Sequence, residues 1–304
     1  MTLNLDLVKL RTLVEIRATG SMTATATALG YTTGAVSQQM AALRRSVRAD
    51  LFTQVGRRVQ LTDAGCLLAD HAERLLAMVR HTEQALAALP GHPQGDVVIG
   101  VFGTAATALL PRAMVRVREQ HPGVRLRSVE VDVDEATSAV AAGRVDLAFG
   151  VDYPQAPIPR AAQVALLVLG TERFSIATRV GHGTHEGASS LLDFIDDPWI
   201  LPPEHTFYGR AFRMACRRLG FEPRVEHTVT DTASTLGLVA AGLGVAPVTE
   251  LMLRVRWDGV TAVPLTDRVE RTMILAHRRE PAPQPGVQAV IDAIRDSMAP
   301  GRPS

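Results

Sequence analysis

Long apolar runs are missing from this sequence of 304 residues. A helix that crosses a membrane needs about 18 or more consecutive apolar residues, and no stretch of the chain approaches that length. The first residues also lack the basic start and apolar stretch of a secretory signal peptide. These absences predict a cytoplasmic protein with no membrane partner.

Cysteine is scarce as well, with two residues in the whole sequence. Cys66 and Cys216 lie far apart in the chain, a spacing typical of neither a disulfide framework nor a metal cluster. A redox pair formed by these two residues stays open as an alternative. The cysteine usage therefore predicts a protein without structural disulfides.

Familiar catalytic and cofactor-binding motifs are also missing. The chain has no Gly-x-Ser-x-Gly elbow and no phosphate-binding loop, and residues 242–244 lack the third glycine of a dinucleotide fingerprint. His182 and His185 have a plausible metal spacing, but a solvated loop is the favoured interpretation because no third ligand lies nearby in the sequence. Asp196 and Asp197 could pair as catalytic acids, although adjacent acids before a proline more often cap a turn. The sequence predicts no enzyme, no metal and no cofactor.

Net charge is nearly absent overall, at +1, but its distribution is uneven. Residues 1–60 contain eight basic and three acidic side chains, which gives this segment a net charge of +5. A basic segment on a nearly neutral chain predicts a polyanionic partner for that segment alone. The length is sufficient for two or three domains of about 100–200 residues each.

Residues 20–43 have the pattern of two short helices joined by a tight turn. Ser21 can cap the first helix, and Gly30 can adopt the left-handed conformation that ends it. Thr32 or Thr33 can then cap the second helix. The second helix has apolar residues at i, i+4 and i+7, namely Val36, Met40 and Leu43.

The opposite face of the second helix is small or polar and carries no acidic residue. It presents Thr33, Gly34, Ser37, Gln38 and Ala41. Such a face suits a helix that enters the major groove of DNA. An ordinary helical hairpin without a nucleic-acid partner is the alternative.

The flanking segments fit the same unit. Apolar residues in 5–16 recur at helical spacing and predict a helix packed behind the pair. Residues 52–61 have strand-like composition on both sides of Gly56, Arg57 and Arg58, which predicts a small β-wing with two guanidinium groups at its tip.

Residues 63–89 predict a long helix because they contain no proline and, after Gly65, no glycine. Its apolar positions alternate in steps of four and three, the spacing of a heptad seam. This seam is predicted to pair with a second copy of the chain through Leu68, Leu75, Val79 and Leu86. Packing of the seam on its own domain is the alternative. Residues 90–93 then mark a boundary.

From residue 96 onward, strand and helix patterns alternate. The order β-α-β-α-β implies a mainly parallel sheet, and a second set of similar segments follows it. We therefore expect two α/β lobes, with the chain returning to the first. Ligands of such folds bind beyond the carboxyl ends of the strands, between the lobes.

Taken together, these segments resemble the LysR-type transcriptional regulators. In the N-terminal part the matching residues are Leu10, Leu13, Gly20 to Ala24, Ala26, Leu29, Ala35 to Ser37, Gln39, Leu43, Leu51, Phe52, Gly56, Arg57 and Leu61 to Gly65. Farther on they are Ile99, Gly100, Leu110, Pro111, His121, Pro122, Gly143 to Ala148, Gly220 to Pro223 and Val239 to Ala246. The resemblance implies a dimeric or tetrameric DNA-binding regulator with a sensor like the periplasmic binding proteins.

The chain also departs from the family pattern. The second helix of the family often carries basic residues, whereas here Gln38 and Ala41 occupy the exposed face. Gly34 stands where proline or serine is more common, and Thr53 and Gln54 follow Phe52 where an acid and an arginine are usual. Val133 replaces a hydroxyl residue of some relatives. The base preference of the family therefore does not transfer to this chain.

The expected fold class is α/β with an N-terminal all-α winged helix-turn-helix and a two-lobed sensor like the periplasmic binding proteins. The expected domains are a winged helix-turn-helix over 1–62, a dimerisation helix over 63–90 and an effector-binding domain over 91–304. Within the last domain, lobe I covers about 96–163 and 267–300, and lobe II covers about 164–266.

Residues with expected roles fall into two further sets. The DNA-binding set is Ser21, Thr23, Thr32, Thr33, Gly34, Ser37, Gln38, Arg57 and Arg58. The effector-binding set is Gly103, Thr104, Pro202, Thr206 and Phe207. An anionic effector is the favoured interpretation, and an apolar or neutral metabolite is the alternative. The expected partners are double-stranded DNA, this effector and further copies of the chain in a homodimer or homotetramer. A small-molecule-binding protein without operator recognition and an α/β enzyme are the alternatives.

Overall fold

A computed structural model of the protein describes residues 5–55, 58–87, 94–182, 187–255, 257–279 and 283–298. The chain forms two compact units. The first is Met1–Leu89 with Ala141–Arg144, and the second is Pro90–Val140 with Val145–Ser304.

The first unit contains four helices and a two-stranded hairpin in the part that the structure describes. Its elements are α1 (Leu7–Thr19), α2 (Met22–Leu29), α3 (Thr33–Val47), β1 (Phe52–Val55), β2 (Arg58–Leu61) and α4 (Asp63–Ala87). Helix α1 begins and ends later than the predicted 5–16. The Asp6 carboxylate caps its start by accepting from the Val8 N–H at 2.8 Å, and Gly20 ends it with φ of 64°.

The core of this unit forms where α1, α3 and the start of α4 meet. Buried side chains from these helices exclude water from the centre, namely Leu10, Leu13, Ile16, Val36, Met40, Leu43, Ala69 and Ala72. The predicted apolar stripe of the second helix therefore faces inward. Its polar face is left on the surface.

The second unit carries the remaining elements. Its strands are β3 (Gly95–Val101), β4 (Val124–Glu130), β5 (Leu147–Asp152), β6 (Val164–Arg173), β7 (Ser175–Arg179), β8 (Trp199–Leu201), β9 (Val225–Thr228), β10 (Ala246–Val248), β11 (Val260–Pro264) and β12 (Glu270–Arg278). Its helices are α5 (Gly103–Ala108), α6 (Leu110–Gln120), α7 (Ala136–Ala141), α8 (Phe207–Arg218), α9 (Thr232–Ala240), α10 (Glu250–Leu253) and α11 (Pro285–Met298).

The larger sheet is mixed rather than mainly parallel. It has the order β4-β3-β5-β12-β6. Strand β3 pairs in parallel with β4 and β5, whereas β12 pairs antiparallel with β5 and β6. Strand β12 runs in the opposite direction because it brings the chain back from the second lobe. In that lobe β7 pairs antiparallel with both β10 and β11, and β8 pairs in parallel with β9.

The boundary between the lobes lies about ten residues later than residue 164. Strand β6, which we assigned to lobe II, is hydrogen-bonded to β12 along its length and forms an edge of the larger sheet. The chain crosses to the second lobe at Phe174, between β6 and β7, and returns between β11 and β12. A run of strand-forming residues continues through this crossing, so composition alone did not mark it.

The helical segment after β3 is divided into two helices, α5 and α6, and α5 begins at Gly103. Pro111 has no N–H group to donate to the carbonyl of Thr107, so a continuous helix would lose a hydrogen bond there. Thr104 lies inside the first turn of α5.

Candidate functional sites

Residues next to α2 and α3 cap these two helices. The Thr32 hydroxyl accepts from the Ala35 N–H at 3.2 Å and caps the start of the helix. Ser21 caps α2 in the same way through the Ala24 N–H at 3.4 Å. Gly30 ends α2 with φ of 69°, which a side chain would strain. Ser21 and Thr32, both predicted to bind DNA, therefore have hydroxyls that already bond the backbone.

The outward face of α3 carries the other predicted DNA-binding residues of this helix. Thr33, Gly34, Ser37 and Gln38 are all exposed. Gln39 differs from its neighbour, because its amide oxygen accepts from the buried Thr12 hydroxyl at 2.5 Å and ties α3 to α1. Thr23 is exposed on α2. Adjacent glutamines thus have separate roles, one inside and one on the surface.

Basic residues gather at the end of α3. Arg44, Arg45 and Arg48 line an open concavity of about 410 Å³ together with Asp50. Arg44 forms an ion pair with Asp50 and lies 5.9 Å from the centre of the Phe52 ring. Arg45 is exposed. Three guanidinium groups and one carboxylate therefore give this concavity a net positive charge.

The β-wing forms as predicted, from β1 and β2 in antiparallel register. The Val59 N–H donates to the Gly20 carbonyl at 3.0 Å and fixes the hairpin beside the turn between α1 and α2. Arg57 and the side chain of Arg58 lie outside the described residues, so their predicted contacts with phosphate stay predictions.

Helix α4 divides its apolar residues between two faces. Leu68 is partly buried and packs against the core of the first unit, where Ala72 is fully buried, so its predicted contact with a second copy stays a prediction. Leu67, Leu75 and Met78 instead form an exposed stripe, with 61%, 44% and 46% of their surface accessible. The exposed apolar stripe differs from the predicted seam because one side of α4 packs against α1. Val79 is half-buried, and the side chain of Leu86 lies outside the described residues.

The predicted effector residues of lobe I lie just beyond the carboxyl end of β3. Thr104 is 5% exposed in the first turn of α5. Gly103 is exposed, with open space where a side chain would extend. The carboxyl ends of β3, β4 and β5 share this edge of the sheet because these strands are parallel.

The predicted residues of lobe II surround the start of α8. The Thr206 hydroxyl accepts from the Gly209 N–H at 2.9 Å and donates to the Pro203 carbonyl at 2.8 Å. The carbonyl of the buried Pro202 accepts from Arg213 at 2.9 Å. Thr206 therefore acts as a helix cap, and Pro202 serves the interior of its own lobe. Phe207 is half-buried.

Asp134 bridges the two lobes at this point. Its Oδ2 atom accepts from the Phe207 N–H at 2.9 Å, so a carboxylate of the first lobe occupies the start of α8. Burial raises the pKa of Asp134; the Phe207 N–H opposes this shift, and the neighbouring Asp132 carboxylate adds to it. Sequence reasoning missed Asp134. The available signal was a pair of acids flanking Val133 directly after a strand.

An aromatic and ionic cluster lies beside this bridge, where the chain crosses between the lobes. The rings of Tyr153 and Tyr208 stack with centres 5.9 Å apart. Arg271 on β12 donates to Glu172 on β6 at 2.9 Å and to the Thr249 hydroxyl at 2.8 Å. The other oxygen of Glu172 accepts from the Leu251 N–H at 2.8 Å. These bonds join the larger sheet to α10 of the second lobe.

The other candidates from the sequence have structural roles. His182 Nε2 lies 3.0 Å from an oxygen of Asp197, which accounts for both residues; His185 lies outside the described residues. In the described ranges, histidine, cysteine and acidic side chains form no group of three that could hold a metal. Cys66 and Cys216 are free thiols, exposed and buried respectively. Within the same ranges, no helix has the length and hydropathy needed to cross a bilayer.

Comparisons with known proteins match both units. The family model of the bacterial regulatory helix-turn-helix proteins of the lysR family matches residues 7–66, and the LysR substrate binding domain matches residues 90–299. The transcriptional regulator TdfR of Cupriavidus pinatubonensis is 28% identical over 298 residues, covering 94% of this chain and 97% of its own.

Two further relatives support the same assignment. The regulator ShiR of Corynebacterium glutamicum is 30% identical over 227 residues, which are 72% of this chain and 74% of its own. Full-length CbnR, solved with its target DNA, has the same fold, with a TM-score of 0.69 and 22% identity over 96% of this chain and 100% of that one. These relatives are named as regulators rather than enzymes. The chain belongs to the LysR family and is a DNA-binding transcription regulator controlled by a small-molecule effector.

Proposed function

We propose that α3 inserts its exposed polar face into the major groove of operator DNA, while an effector bound between the two lobes controls the response. The observation that carries this proposal is the outward face of α3, where Thr33, Gly34, Ser37 and Gln38 are exposed and no acidic residue opposes the phosphate backbone. As a regulator of chromosomal genes, the protein would act in the cytoplasm.

Mapping the DNA that the full chain protects from cleavage, with and without candidate metabolites, tests both parts. A protected site that changes in length or affinity with one metabolite supports the proposal. Protection that no metabolite alters would contradict effector control, and the absence of protection on any DNA would contradict operator binding.

Phosphate contacts are assigned to the basic concavity at the end of α3, and the contacts predicted for Arg57 and Arg58 are kept as part of the same proposal. Arg45→Ala should weaken binding to all sequences alike and reduce the slope of log K against log salt by about one unit, because one phosphate loses its partner. Salt titrations of a labelled duplex measure this slope.

Arg268→Ala is the matched control, since it removes one exposed arginine from the second unit, where Arg268 pairs with Glu270. It should leave the slope unchanged. A change of base preference in Arg45→Ala with an unaltered slope would show that Arg45 does not contact phosphate.

Homodimer formation is assigned to the exposed stripe of Leu67, Leu75 and Met78 on α4. Large apolar side chains on one helix face favour burial against an equal surface. A homotetramer would need a further contact in addition to this one.

The effector site is proposed at the edge of the sheet where β3 and β4 end, with Thr104 in the first turn of α5 and the Asp134–Phe207 bridge as its candidate walls. The Asp134 carboxylate already neutralises the positive end of α8. A simple anion would therefore have to displace it. This arrangement supports an effector that donates a hydrogen bond to Asp134 and packs against Phe207, rather than the anion suggested by the sequence.

Thr104→Val keeps the shape of the side chain but removes the hydroxyl. An effector that bonds this hydroxyl should lose about 1–3 kcal/mol of binding free energy, measured by titration calorimetry on the full chain with the metabolite that alters protection. Thr107→Val is the matched control, because the Thr107 hydroxyl bonds the Gly103 carbonyl of its own helix at 3.2 Å. If wild type and Thr104→Val bind the effector with equal affinity, the Thr104 hydroxyl is not part of the effector site.

A further inference from the structure

The part of α3 that would reach the bases has an unusual chemistry. Residues 33–43 of α3, all of which the structure describes, contain no arginine, lysine, aspartate or glutamate. Proteins of this architecture contact base edges with the N-terminal turns of the second helix. Charged side chains are therefore absent from the part of the helix that should contact the bases.

Each base presents its own pattern of hydrogen-bond donors and acceptors in the major groove, and particular side chains match each pattern. Arginine and lysine read guanine, aspartate and glutamate accept from cytosine, and asparagine and glutamine bond adenine in a bidentate manner. Threonine and serine discriminate weakly, and alanine or the threonine methyl group contacts the thymine methyl. The residue types in this stretch of α3 can therefore make specific bidentate contacts with A·T pairs, but only weakly discriminating contacts with G·C pairs.

Tertiary contacts leave Gln38 as the main candidate for a bidentate contact with a base. Gln39 is half-buried and its amide oxygen accepts from the Thr12 hydroxyl at 2.5 Å, so this oxygen is not available for a bidentate contact with a base. Arg44, the first cation after this stretch, forms its ion pair with Asp50 beside the Phe52 ring. Gln38 is exposed one position before Gln39 and has both an acceptor and a donor to offer a base.

We propose that Gln38 reads an adenine in each half of the operator, and that residues 33–43 of α3 make no bidentate contact with guanine. This inference rests on the proposed function, since it specifies the DNA that the same helix binds. The methyl groups of Thr33 and of the half-buried Ala41 would contact the methyl group of an adjacent thymine.

Selection of binding sites from a random duplex library, with the full chain, tests the proposal. The wild type should enrich a two-fold symmetric motif that contains a specified adenine. Gln38→Arg should change that adenine to guanine, and Gln38→Ala should leave the position unspecified. Replacing the adenine in the selected duplex should weaken the wild type about five- to 150-fold, and Gln38→Ala much less.

Arg45→Ala is the control for general weakening and should keep the wild-type motif. Because Gln38 is exposed, its variants should have the same melting temperature as the wild type, which circular dichroism measures. A motif that Gln38→Arg leaves unchanged, or a wild-type motif whose Gln38-dependent position is guanine, would overturn the inference while leaving DNA binding intact. Failure of the wild type to enrich any duplex would overturn the proposed function as well.

Discussion

Arg271→Leu is expected to lower the free energy of unfolding of the second unit by about 3–5 kcal/mol. Arg271 is 3% exposed, and its partner Glu172 is largely covered. Removing the guanidinium leaves the Glu172 carboxylate buried without its counter-charge, and it also removes the donor to the Thr249 hydroxyl. Denaturant unfolding followed by tryptophan fluorescence measures the loss, because Trp199 and Trp257 both belong to this unit.

Two variants test the cause of this loss. Arg268→Ala breaks an exposed pair with Glu270 and should leave the free energy of unfolding close to that of the wild type, because water screens this pair. The double variant Arg271→Leu with Glu172→Leu should recover part of the stability, since no charge remains buried alone. If the double variant loses as much as both single changes added together, the two residues do not act as a pair.

The second large effect concerns assembly. Leu75→Asp should convert the protein to a monomer and abolish tight operator binding, because a carboxylate in an apolar interface costs several kcal/mol in each copy. Leu75 is 44% exposed in the single chain, so the variant should fold. Sedimentation gives the mass of the species, and a labelled operator gives its affinity.

Cys66→Asp is the matched control for that change. Cys66 is exposed in the first turn of α4, where an added carboxylate is favourable for the helix, and at 100° per residue it faces away from the stripe of Leu67, Leu75 and Met78. It should leave the oligomer intact. An unchanged mass for Leu75→Asp would show that another surface joins the copies.

The predicted roles of Thr206 and Leu68 show what sequence patterns leave unresolved. Thr206 was expected in the effector site because a hydroxyl follows a strand there, but its two hydrogen bonds are local to the start of α8. Leu68 was placed in the seam because heptad spacing specifies one apolar stripe, whereas α4 must also cover α1. Spacing identifies which residues share a face, and it does not identify what that face contacts.

The winged helix-turn-helix, the long helix and the two-lobed α/β domain could all be predicted from the sequence. They depend on local signals: caps such as Thr32, left-handed glycines such as Gly20 and Gly30, and apolar periodicity. Three features could not be predicted in this way: Gln39 bonds to α1 while Gln38 faces outward, β6 belongs to the first lobe, and Asp134 occupies the start of α8. Each of these depends on residues that are distant in the chain, and local patterns carry no information about which of them will meet.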